Sequence, residues 1–203
     1  MGFWGYFVVG RAERPLAELK TLPNAAGMVL RVSAPDGWQV WEYQGEGDVG
    51  KMSALAERTG SPALFGYVMD SASVVVEAAG PRSGVWTACL ARAAMAAHLG
   101  VDTGDDDGDD GESGEIGEGG VDEGAEEDTE GVVDAEERPV LEDYFLHPRD
   151  AAERAVAWAA EAGHVVDAGP LLDVLFADPD TDAGELAENL FFRLLDRLGV
   201  VPL

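Results

Sequence analysis

Apolar residues in the first half of the chain fall in short runs and alternations, whereas toward the end they fall at helical spacing. Residues 3–9 are aromatic and β-branched and predict a strand. Pro15 opens a short helix over 15–22, at the first-turn position that proline tolerates. Residues 28–32 and 38–44 predict two strands joined at Pro35-Asp36-Gly37, where proline presets φ and glycine accepts a positive one. Together they read as a hairpin. Met52, Leu55 and Ala56 share one side of a helix over 49–58, with Gly60 beyond its end. Two further strands, 62–70 and 73–79, flank Asp70-Ser71. Ser83 is placed to cap a long helix over 84–99 that Gly100 stops. This β-α-β-β-α-β-β-α order predicts an α+β domain, with helices packed on a mostly antiparallel sheet.

The period changes in the last part of the chain. Ala151, Ala155, Val156 and Ala159 keep helical spacing within 148–163, and 171–176 is a short apolar run. Pro179-Asp180-Thr181-Asp182 is a helix-start signal, with negative charge near the positive helix N-terminus. Leu186, Leu190, Leu194 and Leu198 then recur at every fourth position, beside Phe191 and Leu195, until Gly199. The expectation is a small helical subdomain docked on the first domain, because about 60 residues seldom hold a core alone.

An acidic tract separates these parts. Residues 102–137 contain 18 Asp or Glu and no Lys, Arg, Cys or aromatic residue. Such a segment buries too little apolar surface to offset its ordering entropy, and its charges repel one another. It reads as a disordered acidic linker, which divides the chain into an α+β domain (1–100), the linker (101–139) and a helical subdomain (140–203). A calcium-binding EF-hand loop starting at Asp106 fails, because Gly108 and Gly117 stand where ligands are required.

Charge narrows the function classes. The whole chain carries a net charge of −27. Outside the tract 22 acids still face 13 bases, so the rest is acidic too. Nucleic acid and anionic membrane surfaces both need a cationic face, so neither is an expected partner. Only Lys20 and Lys51 are lysines amid abundant Arg, Ala, Gly, Val and Asp, as GC-rich bacterial coding produces. Cys89 is the sole cysteine, which excludes an intramolecular disulfide and fits a reducing cytoplasm. The N-terminus lacks the basic segment of a signal peptide.

Candidate chemistry is sparse. His98 and His164 sit at predicted helix ends and His147 at a predicted helix start; none belongs to a ligand pair. Cys89 reads as an inert buried thiol in the 84–99 helix. Asp70-Ser71-Ala72-Ser73 lies between strands, where catalytic groups occur, but is also ordinary turn composition. Gly80-Pro81-Arg82-Ser83-Gly84 has the look of an anion-binding loop without the Lys-Ser/Thr of a phosphate loop. No cofactor or metal motif is present. Trp4-Gly5-Tyr6-Phe7-Val8 and Phe65-Gly66-Tyr67-Val68-Met69 echo one another. Both read as central strands in which glycine makes room for a helix or an aromatic ring.

The strand over 38–44 is the most informative candidate. Alternation sets Trp38 and Val40 on one face and Trp41 and Tyr43 on the other. Trp and Tyr are favoured interface anchors, so Trp38, Trp41 and Tyr43 are the expected partner-binding residues. The leading expectation is a non-catalytic cytoplasmic interaction protein, an adaptor or an immunity-like inhibitor, that binds a basic protein partner. The alternatives are a small enzyme, possibly hydrolytic, using Asp70, Ser71 or a histidine, and an oligomeric structural protein joined through the last helix.

Overall fold

The strand Gly5–Arg11 (β1) is the axis of the molecule, because β-branched and aromatic residues alternate along it with both faces apolar. The computed structural model describes residues 2–104, 139–179 and 184–202. The acidic stretch 105–138 and the helix-start residues 180–183 lie outside the described residues.

β1 pairs on one side with β3 (Trp38–Gln44) and on the other with β4 (Ala63–Met69). β2 (Val29–Ser33) closes one edge beyond β3, and β5 (Ser73–Gly80) and β6 (Gly84–Leu90) complete the other. All six strands are antiparallel in the order β2-β3-β1-β4-β5-β6. The fold is α+β, and among the described residues five helices cover the sheet.

Register assigns each face. Phe7, Val9, Trp38, Val40, Leu64 and Val76 point one way, into a core shared with α3 (Pro148–Ala162), α4 (Ala168–Leu175) and α5 (Ala187–Arg197). A stripe of small residues, Ala151, Ala155, Ala159 and Ala162, lets α3 come close to the strands, and Trp158 fills the remaining space. On α5, Leu190 and Leu194 are fully buried, and Leu198 is buried at its C-terminal cap. Leu186 precedes the helix and is 47% exposed, so it does not extend the stripe.

The opposite face carries Tyr6, Val8, Trp41, Tyr43, Phe65 and Tyr67. The helix α1 (Met52–Thr59) covers one end of it through Met52, Leu55 and Ala56, and Gly60 ends that helix in the left-handed region (φ 66°). The helix α2 (Arg92–Leu99) covers the β5–β6 end, packing Met95 and Ala96 beside Cys89 and Leu141.

Two expected helices are corrected. Residues 84–99 are not one helix. Residues 84–90 form β6, a hairpin partner of β5, and only Arg92–Leu99 is helical. Gly80 pairs with Gly84, and Gly84 takes φ 78°, the left-handed glycine that a three-residue hairpin loop requires. Val85, Trp86 and Thr87 favour strand, and pairing with β5 decides the matter. Over 15–22 there is a single 3-10 turn, Leu16–Glu18. There the Leu16 N–H donates to Gln39 Oε1 (3.0 Å) rather than to a carbonyl within a helix.

The residues flanking the acidic stretch sit side by side. Asp102 N–H donates to Pro139 O (3.1 Å), and Leu141 N–H donates to Asp102 O (3.0 Å). The buried Arg92 guanidinium clamps both sides, donating to Thr103 O (2.5 Å) and Glu142 Oε1 (2.6 Å).

Candidate functional site

Strand β3 carries the aromatic residues singled out from sequence, and the sheet separates them. Trp38 is 1% exposed. Its ring lies 5.8 Å from that of Trp158, so it belongs to the core and not to a partner surface. Glu42 shares that face, which makes its burial a charge problem. Arg31 of β2 solves it with an ion pair of 2.5 Å.

Trp41 and Tyr43 face the other way and are partly exposed. Trp41 Nε1 donates to Gln39 Oε1 (2.8 Å), and its indole packs against the core cluster that contains Val8, Leu16 and Met28. Tyr43 is the outward member of a row. The register pairs Tyr43 with Tyr6 and Tyr6 with Tyr67, so three tyrosines stand abreast on β3, β1 and β4. Tyr6 stacks on Tyr67 at 4.4 Å, lies 6.5 Å from Tyr43 and meets Phe65 edge-on at 5.4 Å. Trp4 extends the row, edge-on to Tyr67 at 6.5 Å. All of these rings are partly exposed, between the areas that α1 and α2 cover.

The loop between β3 and α1 brings acid to this row. Burial raises the Tyr6 pKa, and the neighbouring Tyr67, Asp48, Glu46 and Tyr43 push it further the same way. Burial and Glu46 likewise raise that of Tyr67. Two glycines fit the loop and the preceding turn around Tyr43. A Cβ on Gly47 would stand 2.6 Å from the Tyr43 hydroxyl, and one on Gly27 would stand 3.0 Å from its ring. The site is thus a flat aromatic strip edged by the carboxylates of Glu46 and Asp48. Its π faces and carboxylates both suit a cation, by cation–π contact within about 6 Å and by charge-assisted hydrogen bonds.

The sequence singled out Trp41 and Tyr43 on this face but not the neighbouring Tyr6, Tyr67, Glu46 and Asp48. The available signal was the echo of Gly5-Tyr6 in Gly66-Tyr67. It becomes a row only once those strands are known to be neighbours.

The other candidates are occupied by structure. Asp70 and Ser71 form a two-residue turn with φ of 51° and 55°. Asp70 Oδ1 accepts the Gly2 N–H (2.7 Å), and the Ser71 hydroxyl accepts from Phe3 N–H (2.8 Å) while donating to Glu188 Oε1 (2.6 Å). The 80–84 loop does hold an anion, and that anion is the chain's own Glu161. Its carboxylate accepts from the N–H groups of Arg82 (2.8 Å) and Ser83 (2.9 Å) and from the Ser83 hydroxyl (2.8 Å). Burial alone would raise the Glu161 pKa, but these bonds outweigh it and hold the carboxyl below its ordinary range. His147 caps α3, accepting the Arg149 N–H at Nδ1 (3.2 Å). Cys89 is buried on β6, not on a helix. Among the described residues no group of three or more His, Cys, Asp or Glu is placed to hold a metal ion. No helix among them is long and apolar enough to cross a membrane.

In comparisons with known proteins, no family model, no curated protein and no solved structure matches this chain.

Proposed function

We propose that this chain is a non-catalytic interaction protein, an adaptor or inhibitor, that binds a basic protein partner through the tyrosine face. The observation that carries the reading is the partly exposed Tyr43–Tyr6–Tyr67 row with Glu46 and Asp48 beside it. Aromatic anchors at the centre of such a face supply most of the affinity, and a partner Arg or Lys laid over the rings is held by the carboxylates at the edge. The chain's −27 charge works at longer range. It speeds encounter with a cationic surface and discriminates against acidic ones. Both segments flanking the acidic stretch pack beside α2, on the same side of the sheet as the tyrosines.

The test is a pull-down from source-cell lysate, followed by binding kinetics with the recovered protein. The baits are the full chain, Tyr43→Ala and Glu46→Lys. A basic protein is expected whose association slows with salt and whose complex with Tyr43→Ala dissociates about tenfold faster or more. Glu46 is exposed, so Glu46→Lys leaves the fold intact while weakening capture. A partner bound equally by all three baits, or an association rate indifferent to salt, refutes the reading.

A further inference from the structure

A cleft of about 730 Å³ opens at the end of the sheet where β1 finishes and α1 stops. Arg11 ends β1, Arg14 lies in the turn after it and Arg58 sits in the last turn of α1; all three line the cleft with Glu13 and Asp36. The chain has 13 basic residues against 40 acidic ones, yet three of its arginines converge here. None of the three makes an ion pair or side-chain hydrogen bond with another described residue. The negative end of the α1 dipole accounts for Arg58 alone. Arg11 and Arg14 lie on no helix, and the two carboxylates of Glu13 and Asp36 answer only part of the positive charge gathered here. Tyr6 lies five residues back along β1, about 17 Å away at the usual strand rise, so this cleft is separate from the tyrosine face.

We infer that the cleft binds a small phosphorylated polyol. Guanidinium forks match the oxygens of a phosphate and carry its charge. Glu13 and Asp36 are acceptors only, so they suit the hydroxyl donors of the ligand and repel a molecule that is anionic throughout. No aromatic side chain is among the described residues that line the cleft, which leaves a nucleobase nothing to stack on. The volume lies within the range of small-molecule sites, about 300–1,000 Å³.

The experiment is calorimetric titration of the full chain near physiological salt with glucose 6-phosphate, inorganic phosphate, glucose and citrate. Side-chain NMR of the arginine Nε–H groups accompanies it. Glucose 6-phosphate is expected to bind and to move the Arg11, Arg14 and Arg58 resonances, with the other three probes weaker by about tenfold or more. The double variant Arg14→Ser/Arg58→Ser is expected to weaken binding at least about tenfold with an unchanged melting temperature. Glu13→Gln is expected to narrow the preference for the sugar phosphate over inorganic phosphate. Citrate or inorganic phosphate binding as tightly as the sugar phosphate overturns the proposal, because charge alone would then explain it. Binding that survives the double variant, or no movement of the three arginine resonances with any probe, overturns it as well.

Discussion

The ring of Phe191 lies directly over the Cα of Gly66: a Cβ on that glycine would stand 2.5 Å from Cε2 of the ring. Gly66 is in the middle of β4 and Phe191 in the middle of α5, so this contact sets how closely the last helix approaches the sheet. Phe7 stacks on the same ring at 5.9 Å and leaves it no room to retreat. Gly66→Ala is therefore expected to destabilise the protein by about 1–3 kcal/mol, the usual range for overpacking. In urea unfolding, the double variant Gly66→Ala/Phe191→Leu should lose less than the sum of the two single variants, because leucine vacates the space the methyl group needs. Strict additivity would mean that the ring does not set the approach.

Trp158 joins the C-terminal helices to the sheet by hydrogen bonds as well as by packing. Its Nε1 donates to Ala63 O (3.3 Å) and Ala79 O (3.1 Å), which bridges β4 and β5 at the edge of the core. Trp158→Phe keeps most of the ring volume but removes the donor, and should cost about 1–3 kcal/mol. Trp158→Ala, which also opens a cavity, should cost about 3–5 kcal/mol. Denaturant midpoints check both values. A phenylalanine variant as stable as the parent would assign the whole effect to packing.

Glu161 makes acid stability pH-dependent. Its side chain is only 8% exposed, and its folded carboxyl is held below the ordinary range. Its contribution is therefore fully present above the unfolded carboxyl value, about 4.3, and is lost as pH falls through the lower folded value. The stability gap between the parent and Glu161→Gln should be widest near neutrality and should close in acid. Melting temperatures across that range measure it, and a gap that stays constant would show that the carboxylate charge is not what the loop recognises.

Tyr6 acts at the opposite end of the pH scale. Burial comes first, followed by Tyr67, Asp48, Glu46 and Tyr43, in raising its pKa above the ordinary value of about 10. The resulting stabilisation is complete below that value and is lost as pH rises through the raised folded one. Tyrosinate absorbance should show late titration from Tyr6 and Tyr67, and Tyr6→Phe should remove the Tyr6 share and leave that of Tyr67. Glu46→Gln should bring both groups back toward ordinary behaviour, since it removes a neighbouring negative charge from both Tyr6 and Tyr67.

Much of the architecture was legible in the residues alone. Turn chemistry and alternation located β3, β4 and β5 closely, and Gly60 and Gly100 marked helix ends, each with a positive φ. The α+β class followed from the order of the elements. The role of Gly66 as a space for an aromatic ring was also readable, because glycine inside a strand is otherwise unfavourable. What stayed hidden depends on neighbours distant in sequence. Residues 84–90 are strand because β5 offers them a ladder; Val85, Trp86 and Thr87 favour it, but the alanine-rich run that follows made the whole segment read as helix. Trp38 and Tyr43 looked alike as aromatic anchors on one strand. Packing of α3 against one face buried the first, while the second stays partly exposed between Gly27 and the loop carrying Glu46. The tyrosine row and the arginine cleft exist only where separate strands and turns meet. Local pattern sets which face a side chain takes along its own strand, but what covers that face is fixed by the packing of the whole chain.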